Sequence, residues 1–330
     1  MSKKKTVYIK TIYPSYHVSL ETSREFQEAI LTDNNTDASI LINKKYFQKL
    51  LVFIYKVLRK LKSESIIYSE YFNIFRKVSQ SSIMIQMGVS TELAIPLALC
   101  KGNKYLYYFD AWESTHAEIL SIAQKHKITG MFLSSRTAAQ MLSTAGLKCR
   151  FIWIPEGICL KKYRYCNYDE KDIDVLELGR RFSKYHEKIS PYLQKTAKTH
   201  LYESSPGEII FPDQPSFYNG LARTKISICF PSNITHPHSA GCIETMTVRY
   251  LQSIASKCIL LGQVPQEMID LFGYNPVVEA DMNKPSEQIL SILENYISYI
   301  PLIEKNYDNL KYHTWNNRWA DMTSQMNASY

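Results

Sequence analysis

Short apolar runs of strand length alternate along this chain with segments whose apolar residues recur every three or four positions. "TVYIK" (6–10) predicts a first strand, followed by the polar loop "TIYPSYHVSLET" and the helical stretch "SREFQEAIL". Residues 38–62, "ASILINKKYFQKLLVFIYKVLRKLK", carry apolar positions at helical spacing with lysines between them, predicting a basic amphipathic helix. "SIMIQMG" (82–88), "KYLYYFD" (104–110) and "ITGMFLSS" (128–135) predict strands, with helices over 90–101, 114–126 and 136–145. "CRFIWIPEGI" (149–158) predicts a strand closed by a Pro-x-Gly turn, and the polar, aperiodic 160–172 reads as a linker. The alternation then restarts. Strands are predicted at 174–179, 200–203, 208–212, 225–232, 258–262 and 276–281, with helices at 185–198, 214–223, 246–256, 265–272 and 285–298. A last amphipathic helix is expected over 306–326.

Strand–helix alternation of this kind argues for parallel sheets in an α/β fold. The expected organisation is two Rossmann-like domains, residues 1–156 and 157–305, with parallel sheets facing a central cleft and residues 306–330 as a terminal helix. Ligands of such sheets sit beyond the carboxyl ends of the strands, so the polar residues just after each strand are the ones to examine.

Composition narrows the function classes. The 330 residues carry 39 basic and 31 acidic side chains, a formal charge of +8 that suits anionic ligands without choosing among them. The chain has 24 tyrosines, but no aromatic-plus-basic motif of the kind that reads single strands, so a nucleic-acid partner is not expected. None of the seven cysteines forms a Cys-x-x-Cys pair, and several lie in apolar runs, which favours reduced thiols and a reducing, cytoplasmic compartment. "MSKKKTVYIK" is not followed by a signal-peptide apolar core, and the most apolar window, 83–100, is broken by Gly88, Glu92 and Pro96. The basic face of 38–62 defaults to a solvated helix face, with peripheral contact at the inner surface of a membrane as the alternative.

Two segments offer chemistry. Gly179 ends a predicted strand, and Arg180, Arg181 and Lys184 follow it at or near a helix start, where backbone N–H groups, the helix dipole and guanidinium forks attract phosphate. A surface basic cluster is the plainer account of the same residues. In "GCIETMTVRYLQSIASKC" (241–258), Glu244 lies in the loop after a strand, Thr245 or Thr247 can cap the following helix, and Arg249 and Gln252 share one helix face. A capped helix with an exposed face accounts for these residues equally well. His236 and His238 flank Pro237 without a third ligand at recognisable spacing, so sugar or phosphate contact is expected of His238 rather than metal. No metal and no cofactor is expected.

Three segments in order resemble GT-B glycosyltransferases of the group with the E-x7-E signature, families 4 and 1. They are "FLSSRTAAQMLSTAGLKCRFIWIPEGI", "DVLELGRR" and "ETMTVRYLQSIASKCILL", spanning about residues 128–262. The first hundred residues match only by strand–helix pattern. The resemblance implies transfer of a sugar from a nucleotide-activated donor to a glycan or lipid-linked acceptor, in bacterial surface polysaccharide or glycoconjugate synthesis. By position, Glu244 matches the first glutamate, near the donor sugar and phosphate. Gln252 stands where a second glutamate holds the ribose, keeping hydrogen-bonding capacity without charge. Arg180 and Lys184 match the basic pair that neutralises the leaving diphosphate, with the lysine displaced by about a residue. Asp110, at the end of "KYLYYFD", is the expected base, with a buried structural aspartate as the equal alternative, His17 is the expected acceptor-side contact, and the last helix is expected to cross back to the first domain. Because Gln252 departs from the signature, a non-catalytic GT-B-like nucleotide-binding partner of another transferase is the alternative.

Overall fold

A computed structural model describes residues 4–9, 18–34, 36–40, 45–63, 66–67, 77–88, 90–205 and 208–328. Within it the chain separates into two compact units. One comprises residues 1–16, 23–155 and 316–330, the other 17–22 and 156–315. Residues 306–315 therefore belong with the second unit, and only the end of the chain joins the first.

The first unit is built on a six-stranded sheet of order β2-β1-β3-β4-β5-β6, every neighbouring pair parallel. Its strands are β1 Lys4–Ile9, β2 Thr36–Ile40, β3 Lys77–Gln86, β4 Cys100–Tyr108, β5 Gly130–Leu133 and β6 Arg150–Trp153. Two expectations change here. The helix expected over 38–62 begins only at Lys45, because Thr36–Ile40 pairs with β1 as an edge strand. The helix expected over 90–101 shrinks to a turn at Thr91–Ala94 and a 3-10 stretch to Leu99, since Pro96 interrupts the α ladder and Cys100 already pairs with β3. The Trp315–Asn327 helix packs in this unit: Trp319 Nε1 donates to Asp33 at 3.0 Å, and Arg150 donates to the Gln325 carbonyl at 2.6 Å.

The second unit carries a five-stranded parallel sheet of order β11-β10-β9-β7-β8. Its strands are β7 Ile173–Glu177, β8 His200–Tyr202, β9 Thr224–Cys229, β10 Ile259–Gly262 and β11 Val278–Glu279. Chain order reverses between β7 and β9, so that pair brackets the switch point, where crossovers leave the sheet in opposite directions and open a crevice. The strand expected at 208–212 does not form. Phe211 is instead buried in the core beside Phe217 and packs where Gly220 has no side chain. The helix expected over 306–326 is interrupted at His313–Thr314, where the Ile158 N–H reaches the His313 carbonyl at 3.0 Å and Trp315 N–H the Ile158 carbonyl at 3.2 Å. Gly157 permits this approach, since a Cβ there would lie 2.8 Å from the Trp315 nitrogen.

Lys171, at the end of the predicted linker, is buried. Its ammonium donates to the carbonyls of Ala222, Thr224 and Ser256 at 3.0, 2.8 and 3.0 Å. It thereby gathers the C-terminal ends of the Gln214–Ala222 and Val248–Ala255 helices, where a cation also suits the helix dipoles.

Gly262 ends β10 with φ +153°, and a Cβ there would sit 1.9 Å from the Cys229 carbonyl oxygen of β9. Gly262→Ala should destabilise the second unit by about 3 kcal/mol or more, because the obstacle is backbone. Gly88→Ala, with nothing within 4 Å of the added carbon, should be near neutral. Calorimetry of both variants checks this; equal melting profiles would contradict the close approach.

Candidate functional site

Everything that converges on the switch point of the second sheet comes from loops that follow β7 and β9. Leu178 and Gly179 leave β7, with Gly179 at φ +70°, and the Ser183–Lys195 helix begins after Phe182, which supplies no side-chain cap. The positive end of this helix lies beside Arg180 and exposed Lys184, with the Tyr185 N–H already bonded to the Phe182 carbonyl at 3.0 Å. Arg181 is directed elsewhere: it donates to the Glu203 carbonyl at 2.8 Å and lies over the Tyr202 ring.

Arg249 ties the two loops together. Its guanidinium donates to the carbonyls of Leu178 (2.8 Å) and Arg180 (3.0 Å) after β7, and more weakly to that of Phe230 (3.5 Å) after β9. Arg249 therefore fixes the shape of the Gly179–Arg180 turn through its backbone. Gln252, three residues on, is buried, and its amide donates to the Tyr163 hydroxyl at 3.1 Å. Three residues apart on one helix, the two side chains reach different partners: Arg249 bridges the strand ends, and Gln252 packs against the linker.

The start of the Val248–Ala255 helix also differs from expectation. Thr247 occupies the N-cap position, but its hydroxyl makes no cap and is buried without a hydrogen-bond partner among the described residues. The Val248 N–H is met by the carboxylate of Glu156 at 2.8 Å, from "IPEG". Thr245 is buried as well. Glu244 accepts from the Gln266 N–H at 2.8 Å, capping the Gln266–Phe272 helix, while Glu267 of that helix accepts from the Met246 N–H at 2.6 Å. This reciprocal pair holds the 244–246 loop. Neither Glu156 nor Glu267 is legible in the sequence, because each meets a backbone N–H distant along the chain; an acidic residue in the first helical turn is the only local signal for Glu267.

The charges of Glu244, Arg180 and Arg249 all act on the Tyr250 hydroxyl. The Tyr250 hydroxyl titrates well above the ordinary phenol range, first through burial, then through negative charge at Cys229 and Glu244, with Arg249 and Arg180 opposing. That hydroxyl donates to the Gln263 carbonyl at 2.7 Å. His238 is exposed on a one-turn helix, Pro237–Ala240, beyond β9, and His236 contacts the Thr235 hydroxyl. The chain's single Asp-x-Asp, Asp172–Asp174, lies at the opposite, amino end of β7 with its carboxylates on Arg223 and Lys225. In the first unit, Asp110 lies half-buried two residues past the end of β4. His17 falls outside the described residues.

Removing the guanidinium should leave the Leu178 and Arg180 carbonyls without their donor. Arg249→Met is expected to destabilise the chain by about 2–4 kcal/mol. Arg249→Lys should recover only part of that, since a point charge cannot bridge carbonyls on two loops. Denaturant melts of the two variants measure this, and wild-type stability in Arg249→Met would remove the residue from its clamping role.

No family model matches the chain, and no curated protein matches it in sequence. Solved structures do. HepE of Anabaena, in complex with UDP and glucose, aligns with 98% of this chain and 100% of its own at TM-score 0.57 and 8% identity. Sucrose-phosphate synthase from Thermosynechococcus elongatus aligns over 99% and 100% at TM-score 0.58 and 10% identity. AviGT4, a glycosyltransferase involved in avilamycin A biosynthesis, aligns over 98% and 97% at TM-score 0.56 and 8% identity. With its two parallel Rossmann-like sheets, the chain has the GT-B fold of these proteins.

Proposed function

We propose that this protein is a glycosyltransferase that takes a sugar from a nucleoside-diphosphate donor. One observation carries the reading: Arg249 draws the turns after β7 and β9 together at the switch point, holding Gly179 and Arg180 where a GT-B fold presents its second sheet to a ligand. HepE, which shares the fold, was solved with UDP and glucose.

In this reading the bond from the anomeric carbon to the diphosphate oxygen breaks as an acceptor hydroxyl bonds to that carbon. The acceptor proton passes to a base, for which Asp110 is the candidate. Charge grows on the leaving diphosphate, so cations and helix N–H groups lower the barrier. Arg180, Lys184 and the uncapped start of the Ser183–Lys195 helix supply them without a metal. The engagement of Asp172 and Asp174 with Arg223 and Lys225 favours the same view. Glu244 contacts the donor sugar, and His238, Thr245, Thr247 and Gln252 complete the donor site. The acceptor is a glycan or lipid-linked molecule of bacterial surface polysaccharide or glycoconjugate synthesis, and the seven free thiols fit a cytoplasmic location.

The alternative, a GT-B-like nucleotide-binding partner of another transferase, is favoured by the carboxylate of Glu156 at the start of the 248–255 helix and by the burial of Gln252. Binding of nucleoside diphosphates with no donor turnover on any acceptor would select it. Loss of all nucleotide stabilisation across a panel of diphosphates would sink both readings.

Two substitutions test the chemistry. Arg180→Ala should lower donor turnover about 100-fold with little change in melting temperature. Glu244→Ala should lower turnover by a similar factor and, having removed the cap on Gln266, also cost about 1 kcal/mol of stability. A Glu244→Ala enzyme that loses the stability but keeps its turnover leaves the glutamate a purely structural cap.

Membrane contact rests on the Lys45–Lys60 helix. Tyr46, Leu50, Phe53, Val57 and Leu61 are exposed at steps of three and four residues along and just past it, with Lys49, Lys56, Arg59, Lys60 and Lys62 among them. No helix of the described residues is long and apolar enough to cross a membrane. Such a face lies in the interface plane of an anionic bilayer. The chain should co-sediment with phosphatidylglycerol vesicles, less so at high salt, and Leu50→Glu with Phe53→Glu should abolish it. Equal sedimentation of wild type and double variant would remove this helix from membrane binding.

A further inference from the structure

Three side chains from three elements of the second unit meet beneath the Leu178–Arg180 turn. Glu177 is the last residue of β7, and His200 opens β8, where it pairs with Val175 while Tyr202 pairs with Glu177. Strand alternation puts positions 175, 177, 200 and 202 on one face. The Ser183–Lys195 helix contributes His186 from its first turn. One oxygen of Glu177 lies 2.5 Å from His186 Nδ1 and 2.9 Å from His200 Nε2. The side chains are 3%, 13% and 5% exposed for Glu177, His186 and His200. The Tyr202 ring packs on both imidazoles, with centroids 4.5 and 4.7 Å away.

The trio has more donor capacity than its hydrogen bonds use. The second oxygen of Glu177 and Nδ1 of His200 are buried with no hydrogen-bond partner among the described residues, as is the nearby Tyr185 hydroxyl. A buried carboxylate with an unused oxygen is costly unless something positive approaches it.

We propose that Glu177, His186 and His200 form a binding site for one divalent first-row transition cation, with zinc the best match. One carboxylate and two imidazoles make a donor set suited to that class, with solvent completing a four-coordinate shell. The three ligand atoms all lie within 4.8 Å of one another. In a tetrahedral site with bonds of about 2.0–2.2 Å they stand about 3.3–3.6 Å apart, so small side-chain rotations suffice. The ion is structural: it staples β7, β8 and the 183–195 helix at the base of the Gly179 turn. Sequence reading weighed only His236 and His238, because nine residues separate Glu177 from His186 and fourteen separate His186 from His200, a spacing no short motif encodes.

The test needs no activity. The full-length protein, stripped with chelator, is titrated with Zn2+ by calorimetry and melted with and without the ion; Co2+ is added separately to read the visible bands of a tetrahedral nitrogen–oxygen site. The expected result is one equivalent bound, a raised melting temperature and the cobalt bands. His186→Asn and Glu177→Gln should each weaken Zn2+ binding at least 100-fold. His186 is the less buried, so its variant should keep the wild-type melting temperature without metal. His236→Asn with His238→Asn should bind as wild type. Absence of stoichiometric binding, or binding that survives His186→Asn and vanishes in the His236/His238 variant, overturns the proposal and leaves the trio a hydrogen-bonded clamp.

Discussion

The candidate site depends on one guanidinium. Arg249 reaches carbonyls on both sides of the point where the second sheet reverses its strand order. Turns at strand ends have few hydrogen bonds of their own, and their carbonyls must be met by something. A planar fork with several donors meets carbonyls on two loops at once and fixes their spacing. Glycine at 179 gives the turn its left-handed residue, and Arg249 holds the turn once it is made.

The helix that carries Arg249 is itself fixed at both ends by side chains from the 156–172 connection. Glu156 meets its first N–H, and Lys171 meets the carbonyl just past its last turn. Tyr163, from the same connection, accepts the amide of Gln252 midway along. This connection is therefore less a spacer than a frame, and the eight-residue helix is positioned by charge at its termini and by buried polar contacts at its centre. Burying a lysine and a glutamate this way is tolerable because each charged group has hydrogen-bond partners or helix-end dipoles of the right sign.

The loop before that helix follows the same logic. The Glu244 carboxylate accepts the Gln266 N–H and the Glu267 carboxylate the Met246 N–H, so a residue that resembles a donor ligand also has a mechanical role. The two roles are compatible: a carboxylate has two oxygens and about four acceptor positions, and the cap accounts for one. A loop held by both partners is already organised before any ligand arrives, which lowers the cost of binding.

Periodicity along the chain was enough for the class of fold. Strand–helix alternation and the parallel sheets it implies follow from where apolar residues recur, because each element must bury one face. Gly179, the cations after it and the acidic loop before the 248–255 helix were also visible, since strand ends and helix starts have local signatures. Element edges were less legible: "EIIFP" has strand composition, but Phe211 is drawn into the core beside Gly220. The partners of Arg249, Glu156 and Lys171 were not legible at all. They are backbone groups 19 to 92 residues away for Arg249 and Glu156, and three separate segments for Lys171, and a backbone group leaves no mark in the sequence. The sequence alone determined the alternation of strands and helices and the polar residues at many of their ends; only the tertiary structure decided the irregular elements and what those residues touch, because side-chain hydrogen bonds between distant segments depend on how the chain folds back on itself.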